Sequence, residues 1–397
     1  MKGHAPTLAS PVQTAPPERR NRGLVPLGLA LLVAIAALTL ALWPVARTYL
    51  QSIALLMQWN GSRLPAILKP VAGGKVTIQD VSIPTPNGPI RARIYSPVNN
   101  PNAPGLVFVH GLNHQGIDEV KMKRFATWKA ATGVRVLTPD IPALRAYRMK
   151  ASSIDTIGES ARWFAQKTGH PVTLMGVSFA GGMVLMAAAR PAYASSVKLV
   201  LVVGGYDDLS RVADFYITGT DPRPDGSVEA IRPNPFGAQL LEYTDLALLV
   251  PAKDRDAIEP VLGAVLFDER ALVPEMESAL SPEQRTELES LLATSPNKAK
   301  LQEIAKQDAP EMAAVSPHGQ LADLTAHVFL LHGLDDDYIP SAEAEWTARD
   351  LPPGKLDGML ITPVVSHIML GGKSIVWMDK WRLIQFMAHE REAEVAQ

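Results

Sequence analysis

Short apolar segments alternate with helical patterns over residues 105–206, and this alternation constrains the fold more than any other feature of the chain. The segments 105–109, 171–177 and 197–203 are almost wholly apolar, which is typical of strands buried on both faces of a parallel sheet. Strands that alternate with helices form crossover connections, with helices covering both faces. The pattern therefore predicts an α/β protein with a mostly parallel sheet.

A long helical insertion interrupts this pattern once. Residues 207–325 contain almost no strand pattern and read as amphipathic helices, one of which begins with a capping signal at Ser281 and Gln284. Apolar strands return at 327–333 and 355–364. An insertion of about 120 residues is too long for a loop. We expect an all-helical cap over the carboxyl ends of the strands, where ligands bind in sheets of this kind.

The N-terminal region contains an uncharged run. Residues 24–46 carry no charged side chain and are long enough to cross a hydrocarbon core of about 30 Å as a helix. Basic residues precede the run, which places the N-terminus in the cytoplasm. We therefore predict a single-pass transmembrane helix in contact with membrane lipid, in a bacterial inner membrane, with the rest of the chain in the periplasm. A cleaved signal peptide and a buried soluble helix are the alternatives.

The chain is expected to have six segments. The stretch after the uncharged run mixes apolar and polar residues, as in a helix that lies at the membrane surface or against the following domain. The predicted segments are a disordered cytoplasmic tail (1–23), a transmembrane helix (24–46), an interfacial helix and linker (47–74), the first part of the α/β core (75–206), the helical cap (207–325) and the second part of the core (326–397).

Composition excludes several classes of protein and site. The chain has no cysteine, so disulfides, thiolate metal sites and a cysteine nucleophile are excluded. Its 38 basic and 40 acidic side chains lack the basic excess that is typical of nucleic-acid binding. His110 and His114 have the spacing of a metal-binding pair, but they follow a strand and no acidic third ligand is near in sequence. We expect no metal site there.

A serine lies at the junction between an apolar strand and a helix of small residues, in the segment GVSFAGG (176–182). A serine on such a sharp turn has a strained backbone and needs small residues two positions away, which Gly176 and Ala180 provide, with Gly181 next in the turn. The helix N-terminus favours negative charge that develops beside Ser178. The motif predicts Ser178 as a nucleophile, and the alternative is a serine in an ordinary turn.

A His-Gly turn at 110–111 directly follows the first buried strand. Such a turn allows the next backbone N–H groups to point at the oxygen of a bound carbonyl. We expect the N–H groups of Leu112 and Phe179 to form an oxyanion hole, with Asn113 as the alternative donor. His110 itself is interpreted as a structural hydrogen-bonding residue.

Acidic residues and a histidine follow the last two predicted strands. Asp335, Asp336 and Asp337 come directly after the penultimate strand, and an acid at a strand end can hold a histidine in the required tautomer. His367 lies in the loop after the last strand, where it can reach Ser178 as a general base. On chemistry alone the three aspartates remain alternatives.

These motifs and their order resemble the α/β-hydrolase superfamily, in particular its esterase, lipase and dienelactone-hydrolase branches. The resemblance covers about 75–206 and 326–395, and the insertion corresponds to a cap that is common in the family. Members often carry His-Gly-x-x-Asp-x-x-Val-Pro around the acid. When this pattern is aligned on His332, it implies Asp336, while Asp207 matches an alternative acid position found in some relatives.

The resemblance implies a serine hydrolase that acts through an acyl-enzyme. Ser178 would attack an acyl carbonyl, His367 would take and return the proton, and Asp336 would orient His367. We expect a membrane-anchored enzyme that hydrolyses apolar acyl or aryl carboxylic esters, either small molecules or lipid-derived, without a cofactor. A serine peptidase, an amidase, a thioesterase and a non-catalytic membrane-tethered binding protein remain alternatives, and the oligomeric state is open.

Overall fold

The computed structural model describes residues 1, 24–98, 100–293, 298–371 and 376–396. Apart from Met1, the predicted disordered tail lies outside the described residues. The chain divides into two compact units, 1–47 and 48–397, of which the second contains the sheet.

Twelve strands form within the described residues. They are β1 (Val76–Ile83), β2 (Ile90–Pro97), β3 (Gly105–Val109), β4 (Arg135–Pro139), β5 (Val172–Val177), β6 (Val197–Val203), β7 (Thr220–Pro222), β8 (Val228–Ala230), β9 (His327–Gly333), β10 (Leu356–Thr362), β11 (Val365–Ser366) and β12 (Met369–Leu370). Eight of them make one sheet in the order β1-β2-β4-β3-β5-β6-β9-β10. Strand β2 pairs antiparallel with β1 and β4, and all other neighbours in this sheet are parallel.

Helices connect the strands. They are α1 (Leu24–Trp59), α2 (Lys69–Ala72), α3 (Val120–Ala131), α4 (Pro142–Arg145), α5 (Ala151–Thr168), α6 (Ala180–Ala189), α7 (Pro191–Ala194), α8 (Leu209–Thr218), α9 (Pro235–Thr244), α10 (Leu246–Leu249), α11 (Ala252–Leu266), α12 (Val273–Ser278), α13 (Pro282–Leu291), α14 (Lys298–Ala314), α15 (Ala342–Asp350) and α16 (Trp377–Val395). Two short 3-10 helices cover Ala66–Leu68 and Gly116–Asp118.

Alternate residues of the central strands pack into two apolar clusters. Val107 and Val109 of β3 belong to one cluster, and Leu106 and Phe108 belong to the other. Helices α5 and α6 cover the first cluster, while α3 and α16 cover the second. Because both faces are covered, the strands are apolar throughout instead of alternating. The predicted α/β fold with a mostly parallel sheet is confirmed.

The chain between β6 and β9 is mainly helical, with two differences from the expectation. The capping box predicted at Ser281 and Gln284 is present at the start of α13. A helix expected over 247–267 is instead divided into α10 and α11, because Val250 is extended and Pro251 cannot donate a backbone hydrogen bond. The hairpin β7–β8 was not expected, since three-residue strands are too short to show a periodic pattern.

Helix α1 is continuous from Leu24 to Trp59, so the predicted transmembrane and interfacial segments share one helix. Within the described residues, one helix is long and apolar enough to cross a membrane, over Ala36–Trp59. From Thr48 onward, however, the helix belongs to the second unit, where Leu55 packs with the cluster under α3 and α16. The part of α1 that lies outside the second unit therefore ends at Arg47.

A group of buried polar side chains joins α1 to α3 and α16. We call it the Lys129 cluster, and it consists of Gln51, Lys129, Glu390, Arg391 and Glu394. Lys129 Nζ lies 2.9 Å from Glu394 and 3.3 Å from Glu390, and Arg391 lies 2.6 Å from Glu394. Gln51 donates hydrogen bonds to the carbonyls of Val71 and Thr132. Each buried carboxylate thus faces a permanent positive charge.

Candidate active site

The turn between β5 and α6 holds Ser178 in a left-handed conformation with φ 54°. This turn depends on its glycines. A Cβ at Gly176 would lie 2.6 Å from the carbonyl oxygen of Ala180, and a Cβ at Gly181 would lie 2.7 Å from the Cα of Gly205. The strand and the helix therefore pass too closely for any larger residue. Strain of this kind is concentrated at functional sites.

The structure brings Ser178, His367 and Asp336 together in one hydrogen-bonded chain. His367 Nε2 lies 2.9 Å from Ser178 Oγ, and His367 Nδ1 lies 2.8 Å from Asp336 Oδ2. Ser178 follows β5, Asp336 follows β9 and His367 is in the β11–β12 turn, with φ 49°. A hydroxyl, an imidazole and a carboxylate in this order can activate the hydroxyl as a nucleophile.

Asp336 is fully buried, and several donors stabilise its charge. The N–H groups of Tyr338 and Ile339 donate to Oδ1 at 2.9 and 3.1 Å. Burial would raise the pKa of this carboxyl, but His367 and His332 outweigh burial and hold the pKa well below its ordinary range. Asp336 is therefore ionised at neutral pH. An ionised carboxylate keeps a proton on His367 Nδ1 and leaves Nε2 free to accept the serine proton.

The other candidate acids lie elsewhere. Asp335 is exposed, and Asp337 accepts a hydrogen bond from Asn234 at 3.2 Å. Asp207 is buried beside Arg211, whose guanidinium lies 2.9 Å from its carboxylate. Burial raises the pKa of Asp207 to about 7. Of the four aspartates, Asp336 is the one whose carboxylate bonds to the His367 ring.

The loop after β3 lies against the serine turn. A Cβ at Gly111 would lie 3.0 Å from Ser178 Cβ, so any other residue at this position would require the loop or the serine turn to shift slightly. Leu112 follows Gly111, and Phe179 follows Ser178, and among the described residues neither backbone N–H is paired with an acceptor. These are the two donors that the sequence predicts for an oxyanion hole.

His110 is buried at the end of β3 and does not join this chain. Its Nε2 accepts a hydrogen bond from the backbone N–H of Ile141 at 3.2 Å, and its Nδ1 lies 2.7 Å from the Gly111 carbonyl. Burial lowers the pKa of His110, which favours the neutral ring that these two contacts require. The interpretation of His110 as a structural residue agrees with these contacts.

A series of aromatic rings starts at the ring of His367, and sequence reasoning missed it. We call it the aromatic collar, and its rings in order are Tyr338, Phe236, Tyr147, Phe267 and His114. Neighbouring centroids lie 4.8–6.2 Å apart. Tyr338 stacks on His367 at 4.7 Å, while His114 lies two residues after Leu112. The collar therefore runs from the ring of His367 to His114 in the loop after β3. No sequence signal could link rings that are so far apart along the chain.

A second group of titratable side chains contains Asp207, the alternative acid. Ligand atoms of Asp207, His318 and Asp350 lie within 4.8 Å of one another, which is compatible with a metal site. His318 Nδ1 already lies 2.7 Å from Asp350 and 3.3 Å from Asp207, and Arg211 also donates to Asp207. These side chains already pair with one another and with the Arg211 guanidinium, as in a network of ion pairs.

Comparisons with known proteins give one matching family and several similar solved structures. The model of the alpha/beta hydrolase family matches residues 106–373. Similar solved structures include an esterase from Pyrobaculum calidifontis, with 18% identity over 87% of this chain and 94% of that chain and a TM-score of 0.44. Another is the acylaminoacyl peptidase of Pyrococcus horikoshii, with 12% identity over 77% of this chain and 40% of that chain and a TM-score of 0.45. A third is the carboxylesterase EstE1 from a metagenomic library, with 12% identity over 86% of this chain and 96% of that chain and a TM-score of 0.44.

No curated protein matches the sequence. The family match, however, covers well over half of the chain and includes the serine turn, the aspartates after β9 and the histidine loop. The chain belongs to the alpha/beta hydrolase family.

Proposed function

We propose that this hydrolase is a membrane-anchored serine esterase that cleaves carboxylic esters with apolar acyl or aryl groups. The observation that carries the proposal is the chain of hydrogen bonds from Asp336 through His367 to Ser178, which ends on a serine with a strained backbone. Family membership supports hydrolysis in general. The nucleophile and the substrate class are inferred from the geometry.

Acylation would begin at Ser178. Its Oγ attacks the carbonyl carbon while His367 Nε2 takes the hydroxyl proton, and the ionised Asp336 stabilises the imidazolium that forms. The imidazolium then gives this proton to the leaving alcohol, which departs as the acyl-enzyme forms. A water molecule activated by the same ring releases the acid and restores the serine.

The oxyanion would be bound by two backbone donors. The N–H groups of Leu112 and Phe179 belong to the two turns that meet at Ser178. Within the described residues, neither N–H group is paired with an acceptor. One donor of this kind contributes about 10²–10³-fold to the rate. The absence of a side chain at Gly111 leaves room for the carbonyl group beside Ser178 Cβ.

The aromatic collar supports an apolar substrate. Tyr147 is buried, whereas Phe236, Phe267 and Tyr338 are only partly buried, and the Tyr338 ring stacks on His367. Partly exposed rings favour acyl or aryl groups, because burial of apolar surface stabilises the complex by roughly 25 cal/mol per Å². Charged short-chain esters gain nothing from these rings.

Anchoring in a membrane would depend on α1. Apolar side chains before Thr48 are exposed in the first unit, Leu38, Leu40 and Leu42 among them, as a helix surrounded by lipid requires. The basic residues that precede the helix favour a cytoplasmic N-terminus and a hydrolase body on the opposite side of a bacterial inner membrane. A full-length protein that is released from membranes by carbonate would contradict this part of the proposal.

Fluorophosphonate labelling of the purified protein tests the nucleophile. We expect labelling of the wild type and none of Ser178→Ala, because only an activated serine reacts with this probe. Ser210→Ala is the control, since Ser210 begins α8 outside the hydrogen-bonded chain. A series of p-nitrophenyl esters then tests the substrate class. A preference for short charged acyl groups would contradict the collar's role, and equal labelling of Ser178→Ala would contradict the nucleophile.

A further inference from the structure

Helix α16 begins with apolar side chains that no part of the described chain covers. Val376 is 60% exposed, Trp377 72% and Met378 55%. Trp381 lies one helical turn after Trp377 and therefore on the same side of the helix. We call these four residues the α16 patch. Contiguous exposed apolar surface with large aromatic side chains marks a site of interaction.

The patch is linked to the helix that carries the uncharged run. The ring of Trp381 stacks on that of Tyr49 in α1, with centroids 5.8 Å apart and planes 25° apart. Both residues belong to the second unit. Tryptophan and tyrosine are the residues enriched where proteins pass the headgroup layer of a bilayer, because their rings are amphipathic.

The length of the chain limits how far this pair can lie from a membrane. Tyr49 is the third residue after Ala46, which ends the uncharged run. Three residues span at most about 10 Å, and each headgroup layer is roughly 5–8 Å thick. If the run occupies the hydrocarbon core, Tyr49 and Trp381 must lie in or beside the headgroup layer, whatever the tilt of the helix.

The charged side chains around the α16 patch also suit contact with a lipid headgroup layer. Lys380 is exposed, and so is Arg382, although Arg382 pairs loosely with Asp379 at 3.7 Å. Basic side chains beside an apolar patch attract anionic lipid, by about 1 kcal/mol each near the surface. An apolar centre with a basic margin is typical of proteins that rest on a bilayer.

The same end of the sheet carries the histidine of the site. Along the chain, His367 and the first turn of α16 both come after β10. A helix that follows a parallel strand starts at the carboxyl end of that strand. The α16 patch therefore belongs to the edge of the sheet at which Ser178 and His367 meet.

We propose that the α16 patch rests in the headgroup layer of a phospholipid bilayer and turns the carboxyl edge of the sheet toward lipid. This rests on the proposed anchor and esterase activity and specifies them further. Substrate would then enter from the bilayer, which selects esters that partition into lipid. The occupant of the patch is the lipid surface itself, to which the anchor tethers it.

The lack of cysteine permits a direct test in the full-length protein. Val376→Cys and Val228→Cys form a matched pair, because these valines are 60% and 64% exposed and Val228 lies in the β7–β8 hairpin. Each variant is labelled with the fluorophore NBD and reconstituted into vesicles of phosphatidylcholine and phosphatidylglycerol. We expect iodide quenching at position 376 to fall about threefold or more on reconstitution relative to position 228, because the label enters the headgroup layer.

A second variant tests the tryptophan. In Val376→Cys combined with Trp377→Asp, we expect the protection from iodide to be lost, since a carboxylate is repelled by anionic lipid and strongly hydrated. Equal quenching at 376 and 228 in vesicles that carry the protein would overturn the proposal. Failure of the labelled protein to float with the vesicles would overturn the anchor as well. Neither readout needs turnover, so a loss of esterase activity would be seen separately.

Discussion

Two groups of buried carboxylates in this hydrolase are stabilised in opposite ways. Asp336 faces two histidine rings and two backbone N–H groups, none of which carries a permanent charge. In the Lys129 cluster, Glu390 and Glu394 instead face a lysine and an arginine. The first group can accommodate a proton that moves along it. In the second group, burial raises the pKa of Glu390 to about 7 despite the attraction of Lys129.

Backbone strain distinguishes the same two groups. Within the described residues, four residues other than glycine have a positive φ. They are Tyr147, Ser178, Asp268 and His367. Two belong to the hydrogen-bonded chain and one to the aromatic collar, while none belongs to the Lys129 cluster. A strained backbone persists only where the surrounding structure enforces it. The comparison teaches that burial of charge alone does not identify a site, whereas burial combined with strain and titratable partners does.

The largest effect is expected from Asp336→Asn, which should lower kcat on a soluble p-nitrophenyl ester by about 10³–10⁴-fold. The amide oxygen can still accept from Tyr338 and Ile339, but its NH₂ group cannot accept the His367 Nδ1 proton, so the ring takes the wrong tautomer. Asp335→Asn and Asp207→Asn are the controls, with kcat expected to stay within about threefold of the wild type. A larger loss in Asp207→Asn than in Asp336→Asn would reverse the assignment of the acid.

Lys129→Met should affect stability and leave catalysis intact. Removal of the lysine leaves Glu390 and Glu394 buried with one cation, which we expect to lower the free energy of unfolding by about 3–5 kcal/mol. Urea denaturation measures this change, and kcat per folded molecule should match the wild type. Lys306→Met, on the exposed side of α14, is the control. If both variants unfold at the same urea concentration, the Lys129 cluster does not stabilise the fold as described.

Gly111→Ala should reduce kcat by about 10–10²-fold with a small effect on stability. The new Cβ would lie 3.0 Å from Ser178 Cβ, so the loop must shift and the N–H of Leu112 moves from its place beside the serine. Gly263→Ala is the control, because a Cβ there would meet its nearest neighbour at an ordinary 3.4 Å. Unchanged turnover in Gly111→Ala would argue that this loop supplies no donor to the reaction.

Glu242→Gln is expected to change how stability depends on pH, and it adds a third kind of buried carboxyl to the comparison. Glu242 is only 4% exposed, and among the residues that the structure describes its Oε2 has no hydrogen-bond partner. Burial raises its pKa from 4.5 to about 8. Between these values the unfolded chain binds fewer protons than the folded chain, so stability falls as pH rises, by at most about 1.4 kcal/mol per pH unit.

The neutral amide should remove this dependence. Unfolding free energies of the wild type and Glu242→Gln are compared across that pH range, with the exposed Glu289→Gln as the control. We expect a flatter profile for Glu242→Gln than for either of the other two proteins. Identical profiles for all three would show that Glu242 ionises without cost in the folded protein.

Local constraints explain what the sequence could predict. Gly176 and Gly181 lie within three residues of Ser178, so the short segment itself shows why the serine turn needs glycine at these positions. The alternation of strands and helices is likewise local, and the fold class that it predicts is confirmed. Capping at Ser281 depends on side chains three positions apart and was also predictable.

Contacts between distant segments explain what the sequence could not predict. Chemistry alone leaves three adjacent aspartates as alternatives, and it was the family pattern, not a local signal, that implied Asp336, whose carboxylate lies 2.8 Å from His367 Nδ1. The stacking of Tyr338 on His367 and the pairing of Gln51 with Thr132 also join elements that no local pattern relates. The division of α1 between two units has the same origin, because its periodicity does not show where packing against α16 begins.

If α1 anchors the protein as proposed, its division between two units restricts how the protein could be shed from a membrane. A cut before Thr48 would release a body that keeps Gln51 and Leu55 in their buried positions. A cut after Trp59 would remove both, leaving Arg391 without the Gln51 oxygen to which it donates. Proteolysis can therefore release an intact folded body only if the cut lies before Thr48, where the buried part of the helix begins.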